Sequence, residues 1–390
     1  MMMREVAIIG IGDTRFGELW EHSLRDIGMQ AGLSAVGDAG ITGEQIEALY
    51  IGNMAAGSLI DQEHLGALVA DYSGLASLHL PAVRIEAAGA SGGMALREGY
   101  MAVASGMHDI VMVAGAEKMT DVTDEEIPRI QMAGGDQQWE GLTGATMASL
   151  HAMIAKRHMH EYGTTREQIA SVSVKNHRNG SMNSTAQYQK AIDISTVLKA
   201  PMVSDPLGVF DCAPISDGSA ALILAPLEAA KKYAQEPVVI ASSSAATDTL
   251  ALHHRESITR FDSVRVASNN AYRKANVRPK DIKIAEVHDS FTISEILNIE
   301  DLGFFEKGKG GAATLEGMTE INGVVSVNTS GGLKSRGEPM GATGIAQAVE
   351  VARQLRGQAE KRQVSDAEYG LSLNVGGTGA TSVVHIFRRA

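Results

Sequence analysis

Short apolar runs alternate with longer segments of helical spacing along the first third of the chain. The runs are rich in Val, Ile and Ala, which is typical of strands covered on both faces of a sheet. Between the first two runs, Leu24, Ile27, Ala31 and Ala35 recur near helical spacing. The pattern predicts, in chain order, strand 6–10, helix 24–39, strand 48–52, helix 63–72, strand 82–86, a small-residue turn over 87–93, a helix through 104 and strand 109–115.

The last third of the chain has the same order of elements, including a second small-residue turn at 328–332. Segment 217–224 resembles 377–384 in pattern and gives the first half its final strand. Each half therefore reads β-α-β-α-β-α-β-β, and helix-linked parallel strands predict a layered α/β fold built from two pseudo-repeats. The predicted elements of the last third are strand 238–241, helix 262–275, strand 282–287, helix 293–302, strand 324–327, helix 344–355 and strands 370–375 and 382–387.

Residues 120–206 interrupt the first half and have no counterpart in the second. The segment is rich in Met, His and Gln, and we predict that it is mostly helical. It is too long for a bare loop, so we interpret it as an inserted cap or loop domain. The predicted division is a first half of residues 1–119 and 207–235, the insertion 120–206, and a second half of residues 236–390.

Composition limits the classes of function. The 390 residues include 34 Lys and Arg against 46 Asp and Glu, a net charge of −12, which argues against nucleic-acid binding. With 44% apolar and 21% charged residues the chain is globular. No apolar run reaches the ~18 residues of a membrane span, and the first residues run directly into a predicted strand without the long apolar stretch of a signal peptide. We therefore expect no membrane association and a cytoplasmic protein. A single cysteine, Cys212, excludes an internal disulfide.

Four motifs, in this architecture, resemble the thiolase superfamily. His288-Asp289-Ser290-Phe291 resembles the His-Asp-Cys-Phe motif of the archaeal and sterol-carrier-protein-type thiolases. Segments 158–168 and 210–218 also resemble the archaeal subgroup, and the resemblance covers essentially the whole chain. The other three motifs are Glu86–Gly93, which resembles the nucleophile turn, residues 328–344, which resemble the Gly-His-Pro block, and residues 374–379, which resemble the C-terminal glycine-rich block.

Thiolases make or break a carbon–carbon bond beside a CoA thioester. The chemistry needs a thiolate nucleophile, an acid/base group and two oxyanion holes. By the resemblance, Gly89 occupies the position of the nucleophilic cysteine, Ser290 that of a second cysteine, Glu338 that of the Gly-His-Pro histidine, and Asn374 that of a C-terminal cysteine. The expected thiol and imidazole groups are therefore missing from all four positions.

The oxyanion holes do not depend on those lost side chains. The resemblance implies that His288 contributes to the first hole and that backbone amides near Gly89 and Gly379 form the second. It also implies an acyl-CoA substrate, with no covalently bound cofactor and no metal. Expected assemblies are a homodimer or tetramer, and a larger complex with HMG-CoA synthase and a zinc-ribbon/OB-fold protein.

Three hypotheses fit this set of residues. In the first, which we favour, the chain is of the acetyl-CoA acetyltransferase type of the mevalonate route, binds acyl-CoA and has impaired thiolysis; a catalytically silent scaffold subunit is an alternative to it. In the second, the chain is a thiolase altered to trap a ligand or silence the enzyme. Or it runs a reaction without an acyl-enzyme, such as retro-aldol cleavage of a 3-hydroxyacyl-CoA with Glu338 as base; thiolase-like aldolases of steroid breakdown set the example.

Several other residues are predicted to be structural. Cys212 is expected in a turn away from the nucleophile position, and Ser91 in the first turn of a helix. The histidines at 151, 158, 160 and 177 have no set of Cys or acidic residues at metal-ligand spacing. Residues 307–311 have the composition of a solvated or disordered loop.

Overall fold

The computed structural model describes residues 3–234 and 236–390, so the predicted domain ends at 1 and 235 lie outside the described residues. Twelve strands are present in this part of the chain. They are β1 (Val6–Asp13), β2 (Ala48–Gly52), β3 (Ala82–Ile85), β4 (Val111–Glu117), β5 (Met202–Ser204), β6 (Leu207–Gly208), β7 (Gly218–Pro226), β8 (Val238–Thr247), β9 (Ile282–Val287), β10 (Ser326–Val327), β11 (Tyr369–Gly376) and β12 (Thr381–Arg389).

Fourteen α-helices connect or cover these strands within the described residues. They are α1 (Leu24–Ala39), α2 (Ala56–Leu59), α3 (Leu65–Tyr72), α4 (Ser91–Ser105), α5 (Ile127–Met132), α6 (Met147–Tyr162), α7 (Arg166–Gly180), α8 (Ile194–Lys199), α9 (Leu227–Ala230), α10 (Asp262–Ala275), α11 (Thr292–Asp301), α12 (Gly310–Leu315), α13 (Gly332–Arg336) and α14 (Met340–Leu355).

The two halves have the same strand order, which confirms the predicted pseudo-repeat. The first half runs β3-β2-β4-β7-β1 and the second β10-β9-β11-β12-β8. In each half the outer three strands are parallel and the next two pairings are antiparallel. Strands β1 and β8 pair through Ala7–Val239 and Ile8–Val238 and join the halves into one ten-stranded mixed sheet.

Helix α14 lies between the two halves of the sheet and packs against α4. It contacts β4 and β7 of the first half as well as β9 and β11 of the second. Every residue of α14 except Arg353 is buried, which is typical of a helix in a central layer. The layered α/β fold predicted from the sequence is therefore present.

Glycines permit the close approach of α4 and α14. A Cβ on Gly92 would lie 2.8 Å from the carbonyl oxygen of Gly341, and one on Gly344 would collide with the backbone nitrogen of Gly93. No side chain fits between backbones at such distances. The glycine excess thus has a packing role where the two halves meet.

Residues 120–206 form α5–α8 and β5 and pack mainly on the second half. Apolar residues of α6 and α7, including Leu150, Ile154 and Ile169, share a core with Ile293 and Ile296 of α11. The buried His158 contacts Glu300 across the same boundary, with 3.2 Å between Nε2 and Oε2. The segment is mostly helical, as expected, while its treatment as a separate domain stays a prediction.

Two predictions about local structure need correction. Helix α14 begins at Met340 rather than 344, because Pro339 precedes the turn where the helix can start. The segment 307–311 is not a disordered loop: Gly310 and Gly311 are buried at the start of α12. Lys307 donates to Asp301 at 3.0 Å and anchors the turn before that helix. Among the described residues, no helix has the length and apolarity needed to cross a bilayer.

The contact between α4 and α14 gives a stability prediction. Gly344→Ala places a methyl group against the Gly93 backbone, so we expect a loss of about 1–3 kcal/mol in the free energy of unfolding. Gly28→Ala in α1 is the matched control because a Cβ there meets nothing within 4 Å, and it should leave stability equal or raised by about 1 kcal/mol. Urea unfolding of both variants checks this; equal effects would refute the packing role.

Candidate active site

A cavity of about 400 Å³ lies where the two halves and the inserted segment meet. Gly89 precedes α4, His288 and Ser290 follow β9, and Glu338 precedes α14; all four line this cavity. The structure therefore brings together the predicted side-chain positions from distant parts of the chain. Most other lining residues are apolar, among them Met54, Ile127, Met147, Ile215, Phe291 and Met340.

His288 and Glu338 face each other across the cavity wall. The distance between Nε2 of His288 and Oε1 of Glu338 is 3.3 Å, and both side chains are largely buried. The other ring nitrogen of His288, Nδ1, lies 3.1 Å from the amide nitrogen of Asn374. The backbone of His288 is held as well, because Asn298 donates to its carbonyl oxygen at 2.8 Å.

The space in front of Gly89 is already filled. A Cβ at this position would lie 2.8 Å from the carbonyl oxygen of Val375 and 3.1 Å from Cε1 of His288. The preceding Ala88 has φ +51°, a left-handed conformation that marks a sharp, strained turn. The imidazole of His288 therefore packs directly against the backbone where the thiolase resemblance would place a nucleophilic side chain.

The turn around Gly89 is stabilised by Ser91. Its hydroxyl donates to the carbonyl oxygen of Ala88 at 2.6 Å and accepts from the amide of Ala87 at 2.9 Å. Because the hydroxyl is buried and fully engaged, Ser91 has the structural role predicted for it.

Of the two backbone amides predicted for the second oxyanion hole, one belongs to a cavity residue and the other is used in a turn. Gly89 lines the cavity, and a role of its amide in the oxyanion hole stays a prediction. The amide of Gly379 instead donates to the carbonyl oxygen of Gly376 at 3.2 Å, closing the turn between β11 and β12. This geometry does not favour Gly379 as an oxyanion donor; Gly377, in the same turn, lines the cavity.

Cys212, predicted to lie in a turn away from the nucleophile turn, also lines the cavity. An antiparallel bridge to Phe291 brings it there, an approach between distant segments that local sequence does not reveal. Burial raises the pKa of the Cys212 thiol. A protonated, buried thiol is a poor nucleophile, so its position alone does not make it reactive.

Ser290 is held through its backbone rather than through its side chain. Its carbonyl oxygen accepts from Ala213 N at 2.8 Å and from Lys334 Nζ at 2.8 Å. Lys334 is fully buried and donates to Asp211 O at 2.9 Å as well. These bonds fix the loop that follows β9 and leave the Ser290 side chain at the cavity wall.

His151 of α6 is a cavity residue that sequence reasoning missed. Its ring stacks on Phe291 with 4.2 Å between centroids. Nδ1 lies 2.8 Å from the carbonyl oxygen of Met147, so Nδ1 carries the proton and donates. Burial lowers the pKa of His151 to about 3, which keeps the ring neutral. In the sequence, the helical spacing between His151 and apolar residues of α6 indicates that its side chain faces inward.

The remaining histidines of the insertion are apart from the cavity. His158 bonds Thr164 and Glu300, His160 is exposed, and His177 contacts the carbonyl oxygen of Ser173 at 3.0 Å. Within residues 3–234 and 236–390, no three His, Cys, Asp or Glu side chains converge as metal ligands would.

Comparisons with known proteins agree with this architecture. Residues 6–228 match the thiolase N-terminal domain model, and residues 244–389 match the thiolase C-terminal domain-like model. Acetyl-CoA acetyltransferase of Methanothermobacter thermautotrophicus is 55% identical over 387 residues, covering 99% of this chain and 100% of the relative. Sterol carrier protein 2 of Oryctolagus cuniculus is 33% identical over 398 residues, covering 98% and 72%.

A solved structure of the Ltp2–ChsH2(DUF35) aldolase superposes with a TM-score of 0.86 at 26% identity, covering 99% of this chain and 98% of that chain. The two halves, the central helices and the cavity between them define an α/β fold of the thiolase type. The chain belongs to the thiolase family, as the motifs and both domain models show.

The burial of His151 gives a prediction about pH and stability. Its pKa is about 3 when folded, against an ordinary value of 6.5, so the unfolded chain binds a proton that the folded chain rejects. The contribution of His151 to stability is therefore constant above about pH 6.5 and falls by up to about 1.4 kcal/mol per pH unit between pH 6.5 and 3. His151→Asn should make the loss of stability between pH 6.5 and 4 shallower, while His177 and His385, whose pKa values burial lowers to about 4, keep their own contributions.

The control is His160→Asn, which changes an exposed histidine of the same helix. Urea unfolding at several pH values measures the slope for each variant. Identical slopes for His151→Asn and the unmodified protein would contradict the assignment of a buried, neutral His151.

Proposed function

We propose that this protein acts on acyl-CoA thioesters and cleaves or forms a carbon–carbon bond without an acyl-enzyme. The reaction that best fits the site is retro-aldol cleavage of a 3-hydroxyacyl-CoA. The observation that carries the proposal is the pair of His288 and Glu338, 3.3 Å apart, packed against a residue that has no side chain at the nucleophile position. Such a pair offers a proton acceptor and a hydrogen-bond donor, with no nucleophilic side chain at position 89.

The proton transfers balance with these residues alone. Glu338 accepts the proton of the 3-hydroxyl group as the bond between C2 and C3 breaks. The O–H electron pair becomes the carbonyl bond of the released aldehyde or ketone, and the C–C pair moves into a thioester enolate. The N–H of His288 stabilises the enolate oxygen. Protonated Glu338 then returns the proton to C2, which yields the shortened acyl-CoA without consuming free CoA.

The cavity suits this reaction in shape and polarity. Its wall is mostly apolar, and the inserted segment contributes Met147 and His151 to it. Exclusion of water strengthens the hydrogen bond to an enolate and limits its loss to solvent. The similarity to the Ltp2–ChsH2(DUF35) aldolase supports the same class of reaction.

A second candidate is the acetyl-CoA acetyltransferase activity named for the archaeal relative at 55% identity. It would supply acetoacetyl-CoA to the mevalonate route, with HMG-CoA synthase as a partner. The chain lacks a nucleophile at position 89, so this activity requires another thiol, and Cys212 is the single cysteine in the sequence. If neither activity exists, the chain is a scaffold subunit that binds acyl-CoA.

The proposed assembly follows the same similarities. The aldolase structure is named with a DUF35 component. We propose that this chain works in the cytoplasm as a homodimer or tetramer with a zinc-ribbon/OB-fold protein. Size-exclusion chromatography with light scattering tests the homo-oligomer directly.

Replacement of Glu338 tests the lyase reaction. Purified protein should release an aldehyde or ketone from 3-hydroxyacyl-CoA, and Glu338→Gln should lower kcat by about 10²–10⁴-fold with a small change in KM, because the general base is lost. Glu228→Gln, an exposed position on α9, is the control. Full activity in Glu338→Gln would remove Glu338 from the mechanism; no carbonyl release by any form would remove the lyase proposal.

Covalent chemistry is tested by mass spectrometry after incubation with acetyl-CoA, alongside an assay of acetoacetyl-CoA thiolysis. We expect the unmodified chain to remain unacetylated and to cleave no acetoacetyl-CoA. The double variant Gly89→Cys with Glu338→His should gain an acetyl group, although the contacts at Gly89 will limit its rate. Both proteins, the unmodified chain and the double variant, are also tested with Cys212→Ser added. Acetylation of the unmodified chain that disappears in Cys212→Ser would favour the acetyltransferase instead.

A further inference from the structure

Asn374 joins the nucleophile turn to His288. It lies near the end of β11 and is almost completely buried. Its Oδ1 accepts from the amide of Gly93 at 2.9 Å, and its Nδ2 donates to the carbonyl oxygen of Gly89 at 2.9 Å. The same Nδ2 lies 3.1 Å from Nδ1 of His288. One side chain thus contacts the first turn of α4, the turn before it and the imidazole.

The backbone determines the orientation of this amide. The N–H of Gly93 can only donate, so the atom of Asn374 that meets it must be the carbonyl oxygen. The NH₂ group then points towards Gly89 and His288, and the carbonyl oxygen of Gly89 can only accept. Both partners agree on one orientation, which removes the usual ambiguity of an asparagine side chain.

This orientation determines the proton position on His288. The NH₂ group has two hydrogens, one for the Gly89 oxygen and one for Nδ1 of His288. Nδ1 must therefore be the unprotonated, accepting nitrogen of the neutral ring, and the proton lies on Nε2. Nε2 faces Oε1 of Glu338 at 3.3 Å, and both residues line the cavity.

We propose that Asn374 is a positioning residue that holds His288 in the Nε2–H tautomer, so that His288 acts as a hydrogen-bond donor into the cavity. The assignment of the tautomer is independent of the reaction. Only the use of that donor, at an enolate oxygen, rests on the proposed function. The opposite tautomer would present a lone pair to both Glu338 and the substrate oxygen and would destabilise each contact.

A purely structural role for Asn374 makes a different prediction. As a link between Gly89 and Gly93, the side chain would contribute to folding with no influence on the imidazole. Asn374→Asp separates the two roles because it keeps the shape and the acceptor for Gly93. The new oxygen accepts rather than donates, so it should draw the proton of His288 to Nδ1.

The test is ¹⁵N–¹H correlation NMR of the full-length protein labelled at histidine, recorded at about pH 8, where ordinary histidines are neutral. A spectrum of His288→Gln identifies the signals of His288. We expect an unprotonated Nδ1 and a protonated Nε2 in the unmodified protein, and the reverse in Asn374→Asp. Asn298→Ser, which removes a bond to the His288 backbone alone, is the control and should keep the original tautomer.

Two results would overturn the proposal: a proton on Nδ1 in the unmodified protein, or an unchanged tautomer in folded Asn374→Asp. If Asn374→Asp does not fold, the spectrum of the unmodified protein still decides the tautomer, and Asn374→Ser replaces the variant. In Asn374→Ser the loss of the donor should give a mixture of tautomers. If carbonyl release from 3-hydroxyacyl-CoA is absent while the tautomers behave as expected, the proposed function fails and the role of Asn374 stands.

When cleavage is observed, a kinetic measurement adds to the spectra. Asn374→Asp should lower kcat by about 10²–10³-fold, the range seen when a single oxyanion donor is lost. KM should change much less, because the substrate contacts along the cavity wall remain. If kcat/KM falls by the same factor because KM rises while kcat is unchanged, Asn374 has a role in substrate binding and does not control the donor.

Discussion

The close contact of α4 and α14 is the constraint on which the rest of the molecule depends. Gly92 and Gly344 let two helix starts approach until no side chain fits between them. Each helix begins directly after a turn that contributes to the cavity, with Gly89 before α4 and Glu338 before α14. Packing of the two halves and assembly of the site therefore depend on the same contact between α4 and α14. A shift of either helix would move the turns that carry Gly89 and Glu338 apart.

The residues that replace the usual thiolase side chains contact one another at the site. The imidazole of His288 fills the space where a nucleophile would project from position 89, and Oε1 of Glu338 lies 3.3 Å from its Nε2. In the proposed reaction, the Glu338 carboxylate is the base and His288 is the hydrogen-bond donor beside it. Both groups keep a partner in the buried site, which limits the cost of removing them from water.

The inserted segment completes the cavity and shares the core of the second half. Its helix α6 supplies His151, which is locked by Met147 and stacked on Phe291. The ring is neutral and its Nε2 has no hydrogen-bond partner among the described residues. The segment therefore adds a fixed acceptor to a wall that otherwise consists mostly of apolar side chains.

The sequence by itself determined the elements and the repeat, because helix and strand periodicity is local. The predicted bounds of 24–39, 262–275 and 282–287 agree with α1, α10 and β9. Motif similarity also named four positions that line the cavity, namely Gly89, His288, Ser290 and Glu338. Tertiary structure alone decided that Cys212 and His151 reach the cavity and that Asn374 orients His288. Each of these depends on contacts between segments far apart in the chain, which no local pattern of residues encodes.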